Sequence, residues 1–201
     1  MIRLLPLLLA ISLLTACSST PKIDPKLNLE TKPQLWLEHQ LDINAINSWS
    51  INGRLGVKNE KESGTATLLW DQSFATYEMR VVAPLGQGTY ILKGSRDGVI
   101  MQGPKNKFKM ATTAEQLLYE ELGWKVNVKG LKYWIRGIPA PYMIFSGLLL
   151  DEKGRLTNMQ QSGFDINVLR YKEQNGVSLP EKLTITSDFI QLKLVIKNWK
   201  T

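Results

Sequence analysis

The feature that most constrains this chain is an alternation of apolar and polar residues that starts at Trp49 and recurs to the C-terminus. Trp49, Ile51, Leu55 and Val57 alternate with Ser50, Asn52, Arg54 and Lys58. A period of two places one set on one side of an extended strand and the other set on the opposite side. Ala66, Leu68 and Trp70 repeat the pattern after a turn at 60–63, and Tyr77, Met79 and Val81 after Asp71-Gln72-Ser73. Strand-like pieces follow at 89–93, 99–102 and 107–110, then at 147–150, 156–160, 164–171, 182–186 and 190–198. In the last, Ile190, Leu192, Leu194 and Ile196 face one way, and Gln191, Lys193 and Lys197 the other. Roughly eleven short strands with close turns predict an antiparallel meander.

Three stretches break that period. Residues 34–47 read as a helix, with Leu37, Leu41 and Ala45 on its apolar face, joined by Trp36 and Ile46. His39 falls on the polar side and is expected to be solvated. Thr112 with Glu115, or Thr113 with Gln116, offers a capping box ahead of Leu117, Leu118 and Leu122, and Gly123 is a C-terminal stop. A short helix is expected over 127–136, with Leu131, Trp134 and Ile135 apolar and Gly137 ending it before Pro139. The class is therefore mainly β with an α lid (α+β). A curved sheet of that many strands must roll up or expose a large apolar face, and about three helices are its natural cover. Trp49, Leu68, Trp70, Tyr77, Met79, Val81 and, from the helices, Trp134 suit either a packed core or the wall of an apolar cavity. Residue types alone do not choose between them.

The N-terminus is a separate signal. Arg3 and the apolar run 4–14 resemble a secretory leader, too short to span a bilayer comfortably. The run ends at Leu14-Thr15-Ala16-Cys17, which resembles the lipobox of bacterial lipoproteins, and Cys17 is the chain's one cysteine. The expected division is a signal peptide over 1–16, a lipidated Pro- and Ser-rich tether over 17–33 and a single domain over 34–201. Ser18 after the cysteine resembles the outer-membrane sorting position of enterobacterial lipoproteins, where Asp signals retention. The address is the outer membrane, lipid-anchored and facing the periplasm.

Most enzymes are hard to build from this inventory. One cysteine and one histidine leave no disulfide framework, no Cys-based zinc cluster and no two-His site, so neither metal nor cofactor is expected. No Gly-x-Ser-x-Gly elbow, Gly-rich phosphate loop or His-Glu-x-x-His is present. The carboxylates Glu60, Glu62, Asp71, Glu120, Glu121, Asp151 and Glu152 are scattered, mostly in turns or beside lysines. A formal net charge of +7 allows an acidic partner, anionic lipid or nucleic acid and selects none of them. Lys105, Lys107 and Lys109 alternate with Phe108 and Met110, which reads as a wet strand face rather than a nucleic-acid surface. Binding and transfer are expected, not catalysis.

One loop stands out. Pro84-Leu85-Gly86 lies between two strand patterns, and Pro and Gly frame a leucine at the tip of a connection. It reads as a leucine folded back on a neighbour or as an apolar probe for a membrane or hydrophobic partner.

These motifs in order resemble the LolB family of outer-membrane lipoprotein receptors. The resemblance runs from Leu14-Thr15-Ala16-Cys17 through Trp49, Gly53-Arg54-Leu55-Gly56-Val57, Leu68-Leu69-Trp70 and Tyr77 to Pro84-Leu85-Gly86. It continues through Leu131-Lys132-Tyr133-Trp134-Ile135-Arg136-Gly137-Ile138-Pro139 to Asn198-Trp199. It implies an unclosed antiparallel barrel, lidded by helices around a lipid-binding cavity. It also implies lipoprotein acyl chains as cargo, a LolA-like periplasmic carrier as donor and the inner leaflet of the outer membrane as acceptor; a monomer is expected, though no residue pattern encodes it. Leu85 would be the membrane-inserting leucine. A lipid or glycolipid carrier of the same fold, or a scaffold lipoprotein, would lack the need for an exposed Leu85.

Overall fold

The computed structural model describes residues 33–83 and 88–201. Cys17, Ser18, Pro84, Leu85 and Gly86 lie outside the described residues. The described part holds three α-helices and eleven strands. In chain order these are α1 (Pro33–Ala45), β1 (Ser48–Asn59), β2 (Ser63–Ser73), β3 (Thr76–Val82), β4 (Thr89–Gly94), β5 (Val99–Gln102) and β6 (Phe108–Ala111). Then come α2 (Ala114–Leu122), α3 (Val128–Trp134), β7 (Phe145–Leu150), β8 (Leu156–Gln161), β9 (Phe164–Gln174), β10 (Val177–Thr186) and β11 (Ile190–Lys200).

All eleven strands form one antiparallel sheet in the order β6-β5-β4-β3-β2-β1-β11-β10-β9-β8-β7. Two meanders thus meet where the first and last strands pair, and β6 and β7 are the two free edges. The barrel is unclosed, and the connection from β6 to β7 carries α2 and α3. That connection packs Leu117, Leu118 and Ile135 against the inward apolar residues of the sheet, so its helices form the lid.

The sheet's curvature has local causes. Asn52 pairs with Asn198 and Gly53 with Ile196, so β11 carries one extra residue, a β-bulge. The bulge resets the alternation and brings Trp199 inside, 4% exposed, after Ile196. Gly53 is required at this point, because a Cβ there would lie 2.5 Å from the Val195 carbonyl oxygen. At the hairpins β8–β9 and β9–β10, Ser162-Gly163 (φ 54° and 77°) and Asn175-Gly176 (φ 50° and 79°) form two-residue turns with both residues left-handed. That geometry matches the twist of antiparallel strands.

The apolar face predicted for β1, β2, β3 and β11 is the inward one, whereas Phe108 and Met110 of β6 are exposed. Ile51, Leu55, Leu68, Trp70, Met79, Val81, Leu192 and Leu194 are all buried in one core with Leu117, Leu118 and Ile135 of the lid. Asp71-Gln72-Ser73, expected as a turn, is instead the end of β2, with Gln72 inward. The period of Leu68 and Trp70 simply continues one step further.

The helix α1 forms as expected but turns a different face inward. Trp36, His39 and Ile43 are buried, while Leu37 and Leu41 are 56% and 61% exposed. The buried residues recur at i, i+3 and i+7, and the leucines occupy the neighbouring stripe. Two fixed points select that stripe. Gly154, in the β7–β8 turn, packs so close to Leu35 and Trp36 that a Cβ would meet Leu35 Cβ at 2.5 Å. Arg136 holds the other end, donating from Nη1 to the carbonyls of Ile43 (3.2 Å) and Ile46 (3.3 Å).

Candidate functional site

The lid is held by polar contacts at its corners. Thr113 caps α2 by accepting from the Gln116 amide at 3.3 Å. Asn127 caps α3 by accepting from the Gly130 amide at 2.7 Å. Glu115 reaches across from α2 and accepts from the amides of Val128 (2.8 Å) and Lys129 (3.2 Å), where the positive end of α3 favours a carboxylate. Between the helices, Trp124 donates from Nε1 to Glu62 in the β1–β2 turn at 3.0 Å. Beyond α3, Gln161 of β8 accepts from Trp134 Nε1 (2.7 Å) and the Ala140 amide (2.8 Å). Its Nε2 donates to the carbonyls of Ala140 (3.0 Å) and Met143 (2.9 Å).

Between these corners the lid meets the sheet with apolar side chains alone. Leu118, Trp124, Val126, Val128, Leu131 and Ile135 face Leu55, Leu68, Trp70, Met79 and Val81 from one half of the sheet. Leu183, Ile185, Leu192 and Leu194 close the chamber from the other half. The space left between the layers is about 40 Å³. That is room on the scale of a water molecule, so in this state the chamber is shut.

Two larger spaces adjoin it. A pocket of about 380 Å³ is bounded by Trp70, Gln72 and Tyr77 of the sheet, by Thr113, Glu115 and Lys129 at the helix starts, by Lys132 in the last turn of α3, and by Met143. It shares Trp70 and Val128 with the chamber. A cleft of about 890 Å³ at the sheet's end shares Gln72, Tyr77 and Val99 with that pocket and adds Trp49, Ile100 and Met110. The Tyr77 hydroxyl is pushed up to about 12, first by burial and then by the charge of Glu115, so it stays a neutral donor and acceptor. Burial, and then the charge of Arg136, lowers the Lys132 ammonium below the usual lysine range, and it donates to the Phe74 carbonyl at 2.8 Å. Trp70 and Gln72 are 2% and 4% exposed, yet Trp70 Nε1 and Gln72 Oε1 find no hydrogen-bond partner among the described residues.

Of the residues expected to line a cavity, Leu68, Trp70, Met79 and Val81 come together at the chamber. Tyr77 lines the pocket and the cleft. Trp49 lies at the cleft, its ring centroid 5.3 Å from that of Trp70 in a tilted contact and 5.6 Å from that of Trp199 edge to face. Trp134 is fully buried in the bonded corner at Gln161, with its ring 5.2 Å from Phe164. Gln72, Lys129 and Glu115 were not singled out in the sequence as site residues. For Gln72 the available signal was its place two residues beyond Trp70 in the alternation. Among the described residues no group of three or more His, Cys, Asp or Glu side chains could hold a metal ion.

Comparison with known proteins agrees with this architecture. A family profile described as "Outer membrane lipoprotein LolB" matches residues 47–199. The chain is 38% identical over 168 residues to the outer-membrane lipoprotein LolB of Pseudomonas putida, covering 84% of this chain and 82% of that one. It is 36% identical over 202 residues to the LolB of Nitrosococcus oceani, covering 98% and 97%. Among solved structures, a LolA-superfamily protein from Nitrosomonas europaea superposes with a TM-score of 0.57 at 8% identity, covering 84% of this chain and 92% of that one. An outer-membrane lipoprotein-sorting protein domain from Vibrio parahaemolyticus gives 0.54 at 10% identity, covering 82% and 91%. These two likenesses concern the fold.

Proposed function

The chain belongs to the LolB family of outer-membrane lipoproteins, and from that premise we propose that it takes lipoprotein acyl chains from a LolA-like carrier into the chamber under α2 and α3 and passes them to the outer membrane. One observation supports this most: in the chamber the lid and the concave sheet meet through apolar side chains, while the polar contacts that tie lid to sheet, Trp124–Glu62, Trp134–Gln161, Lys109–Glu121 and Lys132–Phe74, lie around that chamber. A layer fastened only at its edges can lift and admit an apolar chain, and can close to about 40 Å³ when none is present.

The energetics require such a route. Each methylene moved out of water is worth about 0.8 kcal/mol, so an acyl chain of about fifteen methylenes is worth about 12 kcal/mol. Release of such a chain into water is too slow to be useful, and the cargo must go directly from one apolar cavity to the next and then to the bilayer. Binding and handover, not catalysis, are the proposed chemistry. In this reading 1–16 is a cleaved signal peptide, Cys17 carries the lipid anchor, Ser18 specifies outer-membrane sorting, 17–33 is the tether, and the domain faces the periplasm as a monomer. Leu85, framed by Pro84 and Gly86, enters the inner leaflet and releases the cargo there.

The experiment separates uptake from delivery. Purified protein lacking the leader and carrying Cys17→Ala is mixed with a LolA-like carrier loaded with a triacylated lipoprotein. Transfer of the cargo to the protein supports the reading, and failure to take it sinks it. Lipid-anchored protein is then offered liposomes. Leu85→Glu should take cargo but deliver it about 10- to 150-fold less well, from the roughly 1.5–3 kcal/mol a leucine gains on full burial. Equal delivery would remove Leu85 from the mechanism.

A further inference from the structure

Among the tryptophans, Trp124, Trp134 and Trp199 each donate from Nε1 to a protein oxygen, at 3.0, 2.7 and 2.8 Å. That is the usual state of a buried indole N–H. Trp70 is as buried as these and its N–H has no partner among the described residues. Two residues along the same inward face of β2, Gln72 is anchored by its Nε2, which donates to the carbonyls of Phe74 (2.9 Å) and Thr76 (3.0 Å). That anchoring fixes the orientation of the amide and leaves Oε1 as the unpartnered atom. An unused buried donor and an unused buried acceptor two residues apart on one strand face are costly in a folded protein, and a ligand with the complementary pair of groups would satisfy them.

Their location says where on the ligand that pair must be. Trp70 lines both the shut apolar chamber and the 380 Å³ pocket, whereas Gln72 lines that pocket and the 890 Å³ cleft but not the chamber. The pair therefore marks the boundary between the apolar and the polar space. A molecule occupying both would place hydrocarbon in the chamber and its first polar group at the boundary. In an acylated cysteine that group is an ester or amide carbonyl, and in the N-acyl amide it carries an N–H as well.

We infer that Trp70 and Gln72 form a subsite for the carbonyl junction of the acyl chains, the Trp70 indole N–H donating to an ester or amide oxygen and Gln72 Oε1 accepting from the amide N–H. This rests on the chamber being the acyl site and adds a polar stop to it. The stop sets how deep the chains enter and leaves the peptide on the side of Lys129 and Glu115. It also selects acyl over alkyl chains, which an apolar wall cannot do.

The test uses three probes of equal length, decyl hexyl ether, hexyl decanoate and N-hexyldecanamide, competed against a fluorescent fatty acid. The ratio of ester to ether affinity should fall about fivefold from wild type to Trp70→Phe, the size of one hydrogen bond, and the ratio cancels any change in the apolar fit. In wild-type protein with ¹⁵N-labelled indoles, the Trp70 N–H resonance should move downfield with the ester and amide but not with the ether. This second readout needs no variant to fold. An unchanged ratio together with an unmoved Trp70 resonance, while all three probes bind, overturns the subsite and leaves the chamber standing. Failure of all three probes to bind removes the chamber, and the subsite with it.

Discussion

Two tryptophan–glutamine pairs lie in the interior of this protein, and they are used in opposite ways. At the corner of α3 and β8, Trp134 donates to Gln161, and Gln161 spends its remaining atoms on the backbone of Ala140 and Met143. On β2, Trp70 and Gln72 are equally buried, but the indole N–H and the amide oxygen have no partner among the described residues. The first pair fixes where the lid returns to the sheet. The second faces the space between lid and sheet. Burial is the same in both places, so burial does not distinguish a rivet from a site. The hydrogen-bond balance does.

Breaking the rivet should have the largest effect. Gln161→Leu removes four hydrogen bonds and leaves the Ala140 amide and carbonyl, the Met143 carbonyl and the Trp134 N–H without that partner. Each buried orphan costs about 1–3 kcal/mol, and some recover water, so a loss of about 3–5 kcal/mol is expected. For a chain of this size that lowers the melting temperature by about 10 °C. A calorimetric melt checks it, and a shift below about 3 °C would mean that the corner is not what holds the lid.

Arg136 is the next fastening, and it joins the lid to α1. It is 4% exposed, it donates to the carbonyls of Lys132, Ile43 and Ile46, and burial lowers its guanidinium to about 10. Arg136→Met keeps the bulk and removes the donors. About 2–3 kcal/mol should be lost, with α1 loosening before the sheet does. Hydrogen exchange over 33–45 is the measurement, because it reports that helix separately from the global melt.

The contrast also explains what could be read in the sequence and what could not. Strands such as β1, β2 and β11 were legible because a strand with one wet and one buried face writes its geometry into every second residue. The lid's position was legible as a consequence, through the long helical interruption between β6 and β7. The inward face of α1 was not. Leu37, Leu41 and Ala45 form a good apolar stripe by spacing, but the contacts that choose the face come from Gly154 and Arg136, over 90 residues away. The same holds for the two pairs. Tryptophan and glutamine look alike at both sites in the sequence, and only the folded chain reveals which atoms are already engaged.

His39 tests the balance through pH. Its Nε2 has no partner among the described residues, and burial first, then the positive charge of Arg155, lowers its pKa below 6.5. As the pH falls through 6.5 the unfolded chain takes up a proton that the folded chain resists, so stability declines from there down to the folded pKa and is unaffected above. The slope cannot exceed about 1.4 kcal/mol per pH unit. As His39 is the single histidine, His39→Gln should flatten the curve between pH 7 and 5. Urea melts across that range decide it, and a slope that persists in the variant assigns it elsewhere.

The smallest effect is the most informative, because it compares one substitution at both pairs. Trp134→Phe and Trp70→Phe remove the same atoms from equally buried rings, 0% and 2% exposed. Both lose apolar contact and leave a small cavity, which costs a similar amount at each site. At Trp134 the change also breaks a 2.7 Å hydrogen bond to Gln161. At Trp70 it removes a donor that has no protein partner, so the desolvation already borne by the N–H is relieved. Trp70→Phe should therefore stay within about 1 kcal/mol of wild type, and Trp134→Phe should be about 1–2 kcal/mol worse than it. Denaturant midpoints with unchanged m-values are the required measurement. If the two variants lose stability equally, the Trp70 N–H is already satisfied within the unliganded protein, and the boundary between chamber and pocket has no donor left to offer.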